Sequence, residues 1–559
     1  MASPNLLSTS PLSHHHALSH AHQSISGLLT WDELVMMPPG ERAAATRAGA
    51  KAALARAAHA ARTDPEIGAL LDQLEREGAD QAGDAWRAAS IREARRAFAR
   101  ATALPEDVVA EKAALESEGY AAWAAARRSN DFPAFAPVLE RIVALERRVA
   151  ALLAPGVAAP GGGGLAEPYD ALLDGYEKGC TAARLDVLFS ALKAGLIPLL
   201  AAVRGPQATA PDTGLLSAGA PYDTAAQAAL CEEVAVALGF DTAAGRLDVS
   251  VHPFTGGAGP GDVRMTTRFK PGDLVEGLTG AVHETGHALY EQALPAGPDA
   301  RGLPIAAALS MGAHESQSLL WERHVGLSLP FARWLAPRLG AAFPAAWGGG
   351  GPDPLALWRA LNAVRAPEDS LVRVEADELT YPAHVLLRFG LERAFINGSL
   401  AVADIPAAWA EASQALLGVV PPTDTLGCLQ DVHWGGGAAG GYFPTYLLGA
   451  AAAAQLWEAA GRAMPGLEAD VEAGRFAPLR AWLREGVHER GSAPASLDAL
   501  LAEATGGPLS VAPLLRHLAA KYGAVYQLPP GVADAAIAPG LAAAAEVDAG
   551  AGAGATATA

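Results

Sequence analysis

Residues 270–294 read KPGDLVEGLTGAVHETGHALYEQAL, and the run His283-Glu284-Thr285-Gly286-His287 at their centre decides the reading. Residues four apart lie on one face of an α-helix, so both imidazoles can reach a single ion while Glu284 projects beside it. This is the H-E-x-x-H arrangement, two metal ligands and a general base. Asp273, with Glu276 three residues on, predicts the helix start through a pattern resembling a capping box. The plain alternative is a helix with two ordinary histidines. A chain of this composition would show roughly 0.02 such matches by chance, so the alternative is weak.

A metal centre of this type needs a third protein ligand and an open position for water. A third histidine on an extended motif is excluded, because Tyr290 and Ala293 stand where glycine and histidine would be required. Glu291 is four residues past His287, but ligands on three successive turns spread over about 12 Å of helix axis and cannot converge. The third ligand must therefore come from another helix. Two glutamates fit, Glu315 in HESQSLLWE and Glu322 one heptad later on roughly the same face. Glu315 directly follows an expected turn at Met311-Gly312, which favours it, but spacing alone leaves both open.

Helical patterns also dominate away from this motif. From Gly40 to Leu153 the chain is Ala-rich, with charges three and four apart such as Arg92, Glu93, Arg95 and Arg96. Gly/Pro punctuation at Pro155–Gly164 and a loop with Pro206, Pro211 and Pro221 interrupt the pattern. Arg246–Arg268 has short β-like character, with Leu247, Val249, Val251, Val263 and Met265 among Gly and Pro. Helices resume from Asp273, broken at Gly348–Pro354 and at the Gly-rich stretch Gly435–Gly441. No fixed-period repeat appears. Residues 1–24 hold five histidines (His14, His15, His16, His20, His22) and are expected to be a disordered Ser/His-rich tail, as is the Ala/Gly-rich stretch 529–559. Residues 25–528 are expected to form one helical domain.

Composition bounds the function. The 559 residues are 51% hydrophobic and 18% charged, which supplies a large core and excludes a disordered polymer. A net charge of −19 argues against a nucleic-acid partner, which needs a basic footprint. Three scattered cysteines, Cys180, Cys231 and Cys428, suit a reducing compartment and no disulfide framework. The longest uncharged runs, Val432–Trp457 and Val149–Ala166, are interrupted by Pro and Gly, so no membrane partner is expected. The first basic residue is Arg42, so the positive start of a secretory signal is missing. Cytoplasmic residence is expected, and an organelle transit segment is the weaker alternative because such segments are usually Arg-rich.

A series of short motifs then follows in order: His252-Pro253-Phe254, Asp262-Val263-Arg264-Met265-Thr266-Thr267-Arg268, the HETGH helix, His314-Glu315-Ser316-Gln317, Arg373-Val374-Glu375-Ala376-Asp377-Glu378, Gln430-Asp431-Val432-His433-Trp434 and Gly441-Tyr442-Phe443-Pro444-Thr445-Tyr446. In this the chain resembles the carboxypeptidase Taq family of metallocarboxypeptidases. The resemblance runs from near Trp31-Asp32 to near Tyr526, leaving out the two tails. It implies a mostly α, two-lobed helical metallopeptidase with a deep central cleft and at most a small β element. It also implies a homodimer acting on peptide substrates, removing single C-terminal residues with broad tolerance and using one Zn2+ per chain, with Co2+ as a substitute. The family's third metal ligand falls on Glu315, beside His283 and His287.

Residue chemistry assigns further expected roles. Glu284 takes a proton from the attacking water and passes it to the leaving amine. His433, Tyr442 and Tyr446 are candidate donors to the developing oxyanion, against the alternative that each is an ordinary core residue. An exopeptidase needs a cation for the free C-terminal carboxylate, and the planar fork of arginine suits it. Arg373 is the first choice, the alternative being that it merely neutralises Glu375, Asp377 and Glu378. Arg264 and Arg268 are the alternatives for that carboxylate, in a motif that the resemblance places along the substrate groove, and His252 is a further substrate-binding candidate. One departure from the family pattern is the stretch Trp434–Tyr442, WGGGAAGGY, which is expected to loosen Tyr442 and Tyr446 against His433. It supports a second reading, a non-catalytic peptide-binding protein. A third reading keeps the metal site but makes the protein an endopeptidase or dipeptidase.

Overall fold

The computed structural model describes residues 11–78, 84–157, 167–217, 220–297, 300 and 302–555. Helices make up nearly all of the regular structure among them, as the sequence predicts. The strands are β1 (Gly245–Val249), β2 (Thr255–Gly259) and β3 (Asp262–Thr267), within the segment read as β-like. They form one small sheet in the order β1-β3-β2. β1 runs parallel to β3 with Gly245 opposite Val263, and β2 runs antiparallel to β3 with Thr255 opposite Met265.

The sheet positions the helix that carries HETGH. That helix spans Val275–Ala293. Asp273 starts it, its carboxylate accepting from the backbone N–H of Val275 at 2.8 Å and of Glu276 at 3.1 Å. Val263 and Met265 on β3 pack with Ala235, Phe240 and, from the helix, Ala288. Thr267 adds a polar tie, donating to the carbonyl of Gly277 at 2.9 Å. Side chains alternate along a strand, so the apolar positions 263 and 265 share one face and meet the helix together.

The N-terminal stretch departs from expectation. Residues 11–24 belong to a helix, Pro11–Val35, and the five histidines lie on it. Leu12 joins a small core with Ile67, Leu71, Ile91 and Ala94, and His16 is buried. Burial, helped by neighbouring His15, pushes the His16 imidazole down to about 4. Ser24 donates to the carbonyl of Ala258 at 2.7 Å, so this helix lies against β2. Residues 1–10 of the expected tail are outside the described residues, as are 158–164 of the expected Gly/Pro break.

The C-terminal stretch departs in the same way. Val532–Ala555 is a helix packed on Ala182–Val203. Gly195 and Gly540 face each other so closely that a Cβ on Gly540 would lie 2.7 Å from the backbone nitrogen of Gly195. The Ala/Gly composition that reads as disorder is, in this packing, what lets two helix axes come together. Ala182–Val203 is also long and apolar enough to cross a membrane, with a mean hydropathy of 1.8, although Arg184, Asp186 and Lys193 interrupt its apolar run. In this fold it is a core helix with one side laid against the C-terminal helix. We expect Gly540→Leu to lower stability by about 1–3 kcal/mol, the usual cost of overpacking, read as a drop in the thermal unfolding midpoint.

Candidate metal centre and active site

His283 and His287 project from the Val275–Ala293 helix towards a second helix, Met311–Leu319, which carries Glu315. His287 Nε2 lies 3.4 Å and His283 Nε2 3.9 Å from Glu315 Oε2. Metal–ligand bonds of about 2.1 Å in a tetrahedron put neighbouring ligand atoms about 3.4 Å apart, so these three atoms are spaced to fit one ion. Two glycines make the approach feasible. A Cβ on Gly286 would sit 2.6 Å from the carbonyl oxygen of Gln317, and one on Gly449, from the Pro444–Ala463 helix, 2.7 Å from Glu315 Cβ. The helix that carries Glu315 is thus approached at glycine by two others, at Gln317 by Gly286 and at Glu315 itself by Gly449.

The outward nitrogens are engaged. His283 Nδ1–H donates to Glu322 Oε2 at 2.7 Å. His287 Nδ1–H donates to His314 Nδ1 at 2.6 Å, and His314 Nε2–H donates to Glu291 Oε1 at 2.8 Å. The carboxylates can only accept, so the Nδ1 side of each ring is taken up by its partner and Nε2 is the nitrogen turned to the metal position, from which an arriving ion displaces any proton. The donor set therefore fits a divalent ion of the zinc type. The two glutamates that spacing left open both reach His283, Glu315 at one ring nitrogen and Glu322 at the other. Glu322 sits where the helix widens into a π-helical segment, Leu320–Gly326, a feature frequent at functional sites.

Burial and charge set the protonation of this group. Burial alone would raise the Glu315 carboxyl, but His283, His287 and Arg323 outweigh it and hold it at about 2. Burial would lower His283, yet Glu315 and Glu322 hold it up at about 9. His287 is pushed down by burial and by His314. Glu284 is 5% exposed, and Thr255 of β2 donates to its Oε2 at 2.6 Å.

A second wall is aromatic. His433, Tyr442 and Tyr446 cluster, with ring centroids 5.3 Å apart for His433–Tyr442 and 5.4 Å for Tyr442–Tyr446. His433 Nε2 lies 3.3 Å from the Tyr446 hydroxyl. Tyr381 links this wall to the metal group, its hydroxyl donating to Glu315 Oε1 at 3.4 Å and its ring 6.4 Å from Tyr446. Burial and then Arg373 push His433 down to about 4, so it is a neutral imidazole at pH 7. Burial raises both tyrosines, so they remain protonated and able to donate.

Arg373 is buried, but not against Glu375, Asp377 or Glu378. It pairs with Asp431 at 3.1 Å, and its guanidinium lies 4.8 Å over the Tyr446 ring. Arg388 donates to the other carboxylate oxygen of Asp431 at 2.7 Å. Two guanidiniums share one carboxylate, which burial would raise but which Arg388 and Arg373 hold far below the usual range. Arg264 is committed to Asp262 at 2.8 Å and to the face of Trp31. Arg268 pairs with Glu276, and His252 is exposed. Arg264 thus has a carboxylate of its own, while Arg268 shares Glu276 with Lys270 much as Arg373 shares Asp431 with Arg388.

The Gly-rich loop is not loose. Gly435 packs against Gly119, where a Cβ would meet the Gly119 carbonyl oxygen at 2.8 Å. Gly441 adopts φ +84°, and a Cβ there would meet the Leu173 backbone at 2.6 Å. Just before them Trp434 is buried and donates to Glu392 Oε1 at 3.0 Å. The glycines serve close approach, which corrects the expectation of a weakly organised Tyr442.

The carboxypeptidase Taq (M32) metallopeptidase profile matches residues 12–522. The chain belongs to this family. Thermostable carboxypeptidase 1 of Thermus thermophilus is 42% identical over 503 residues, covering 90% of this chain and 96% of that protein. Carboxypeptidase 1 of Bacillus subtilis is 34% identical, covering 91% and 97%. The crystal structure of the M32 carboxypeptidase from Deinococcus radiodurans superposes with a TM-score of 0.85 at 37% identity, covering 93% of this chain and 99% of that one. The protein is therefore a metal-dependent peptide hydrolase of the carboxypeptidase class.

Within this M32 chain, sequence reasoning did not single out His314, Tyr381, Arg388, Thr255 or the supporting roles of Glu291 and Glu322. Histidine within HESQ was the one local signal, since a metal-binding imidazole usually hands its second N–H to a partner. Another metal-capable group, His324, Glu378 and His517, also gathers. There Lys521 Nζ already lies 2.6 Å from Glu378 Oε2, so an ammonium supplies the cation.

Two outcomes follow from this geometry. Gly286→Ala should weaken metal binding about 10–100-fold by forcing the two helices apart, measured by competition with a chelator. Asp431→Asn should cost about 3–5 kcal/mol at neutral pH, because two buried guanidiniums lose their counter-charge. The Asp431 carboxyl is depressed in the folded state, so its contribution is full above its unfolded pKa and is lost progressively as pH falls from there through the folded value. The gap between wild type and variant should hold from pH 7 to pH 4 and narrow below that, by denaturant unfolding.

Proposed function

We propose that this enzyme is a zinc carboxypeptidase of broad specificity, with Glu284 as the proton carrier and Arg373 as the anchor for the substrate's C-terminal carboxylate. One observation carries the reading. Two inward-facing Nε2 atoms and a buried carboxylate converge within ligand spacing, with Glu284 beside them on the same helix. His283, His287 and Glu315 would hold the ion. When bound, a divalent ion of this kind supplies Lewis acidity to the attacking water and the scissile carbonyl.

The chain's own groups would do the rest. Glu284 accepts a proton from the attacking water and returns it to the leaving nitrogen. Tyr442 and Tyr446, held as phenols, are suited to donate to the developing oxyanion, and neutral His433 to orient Tyr446. Arg373 and Arg388 share the single charge of Asp431, so one positive charge is left over for a substrate carboxylate. That surplus favours an exopeptidase over an endopeptidase. The packed glycine loop removes the one feature that favoured a non-catalytic binding protein.

Broad side-chain tolerance, cobalt as a substitute metal and a homodimer follow the family resemblance and belong to the same proposal. Cytoplasmic residence, read from the sequence itself, is part of the proposal as well, and three free thiols agree with it.

The test is the mass ladder from an unblocked peptide. Single C-terminal losses, abolished by chelation, are expected, and internal cuts would overturn the exopeptidase reading. C-terminal amidation should lower kcat/KM at least about 100-fold if Arg373 reads the carboxylate. Glu284→Gln should lower kcat by about 1000-fold or more while one metal ion per chain is retained.

A further inference from the structure

A glutamate on a helix has three side-chain torsions, and a general base works only in the few rotamers that face the reacting water. Glu284 is not left to choose. Thr255 Oγ1 lies 2.6 Å from Glu284 Oε2 and 3.1 Å from the main-chain carbonyl oxygen of the same residue. A hydroxyl has one proton, and the charged, closer carboxylate oxygen is its better acceptor. Oε2 is thereby engaged, while Oε1 accepts no hydrogen bond from the described residues.

Thr255 is itself fixed from several sides. It stands on β2 opposite Met265 of β3. The preceding residue, Phe254, is tied to Thr266 in both directions: its carbonyl accepts from Thr266 N–H at 2.9 Å, and its N–H donates to Thr266 Oγ1 at 3.1 Å. Thr266 Oγ1 in turn meets Ser250 Oγ at 2.7 Å. β3 then bonds back to the HETGH helix through Thr267 and Gly277. The small sheet is a brace whose one end grips the helix backbone and whose other end grips the Glu284 side chain.

We propose that Thr255 is a positioning residue for peptide hydrolysis, holding the Glu284 carboxylate so that Oε1 faces the attacking water. The inference rests on the reading of Glu284 as proton carrier. The role needs the hydroxyl and not the shape of the side chain, which separates it from plain packing. Valine keeps the shape and loses the hydroxyl, whereas serine keeps the hydroxyl.

The experiment compares Thr255→Val, Thr255→Ser and Glu284→Gln as full-length, metal-loaded proteins on an N-blocked peptide with a free C-terminus. Metal content and thermal midpoint are measured on each. Thr255→Val should lower kcat about 10–100-fold, with KM within about twofold and with metal content and midpoint unchanged, as expected for a misplaced catalytic group. Thr255→Ser should recover kcat to within about threefold of wild type. The inference is overturned if Thr255→Val keeps full kcat, if its loss appears in KM or metal content, or if Thr255→Ser falls as far as Thr255→Val. Glu284→Gln separates the two claims. Retained activity in that variant sinks the proton-carrier reading itself, whereas an inactive Glu284→Gln beside a fully active Thr255→Val sinks only the role of Thr255.

Discussion

The crossing of two helices at Gly286 governs the rest of the site. Three ligand atoms about 3.4 Å apart cannot come from one helix, whose turns separate them too far along the axis. The second helix must come close enough for a short glutamate side chain to reach. With any side chain at 286 the backbone near Gln317 would be pushed outward. Gly449 allows the same approach from the opposite side of Glu315. A carboxylate so enclosed has lost its water, and such a charge persists only with partners of opposite sign. His283, His287 and Arg323 provide them.

That need for compensation spreads outward through the interior. Glu322 faces His283, and Arg323, next to it in sequence, lies 4.2 Å over the Tyr381 ring. Glu378 gathers Lys521 and His517. Asp431 gathers Arg373 and Arg388. Each acid is held below its ordinary range by a cation, against burial that works the other way. Buried polar networks of this kind are costly when half satisfied, so they fix one arrangement of the helices that bring them together.

Small residues have a consistent part in this. Gly195 against Gly540, Gly119 against Gly435 and Gly286 against the Gln317 backbone are all places where two segments touch main chain to main chain. Interiors are packed to near crystal density, so such contacts leave no room for a methyl group. The same Ala- and Gly-rich composition, read without a partner segment, resembles a flexible tail or a loose loop. The Val532–Ala555 helix and the stretch from Trp434 to Tyr442 are ordered because of what lies against them.

Local pattern determined what depends on neighbours in sequence. The 3.6-residue repeat placed His283, Glu284 and His287 on one helical face, Asp273 at its start, and the β-like alternation at residues 246–268, since these are properties of a few turns or strands. It also narrowed the third ligand to Glu315 or Glu322. Tertiary structure decided which nitrogen of His283 each glutamate meets, because that depends on how two helices cross and on the π-helical widening at Leu320. It decided that Arg373 meets Asp431 rather than the acids beside it in sequence, and that Thr255 meets Glu284. Those pairs are 58 and 29 residues apart along the chain, a separation over which no periodicity carries information.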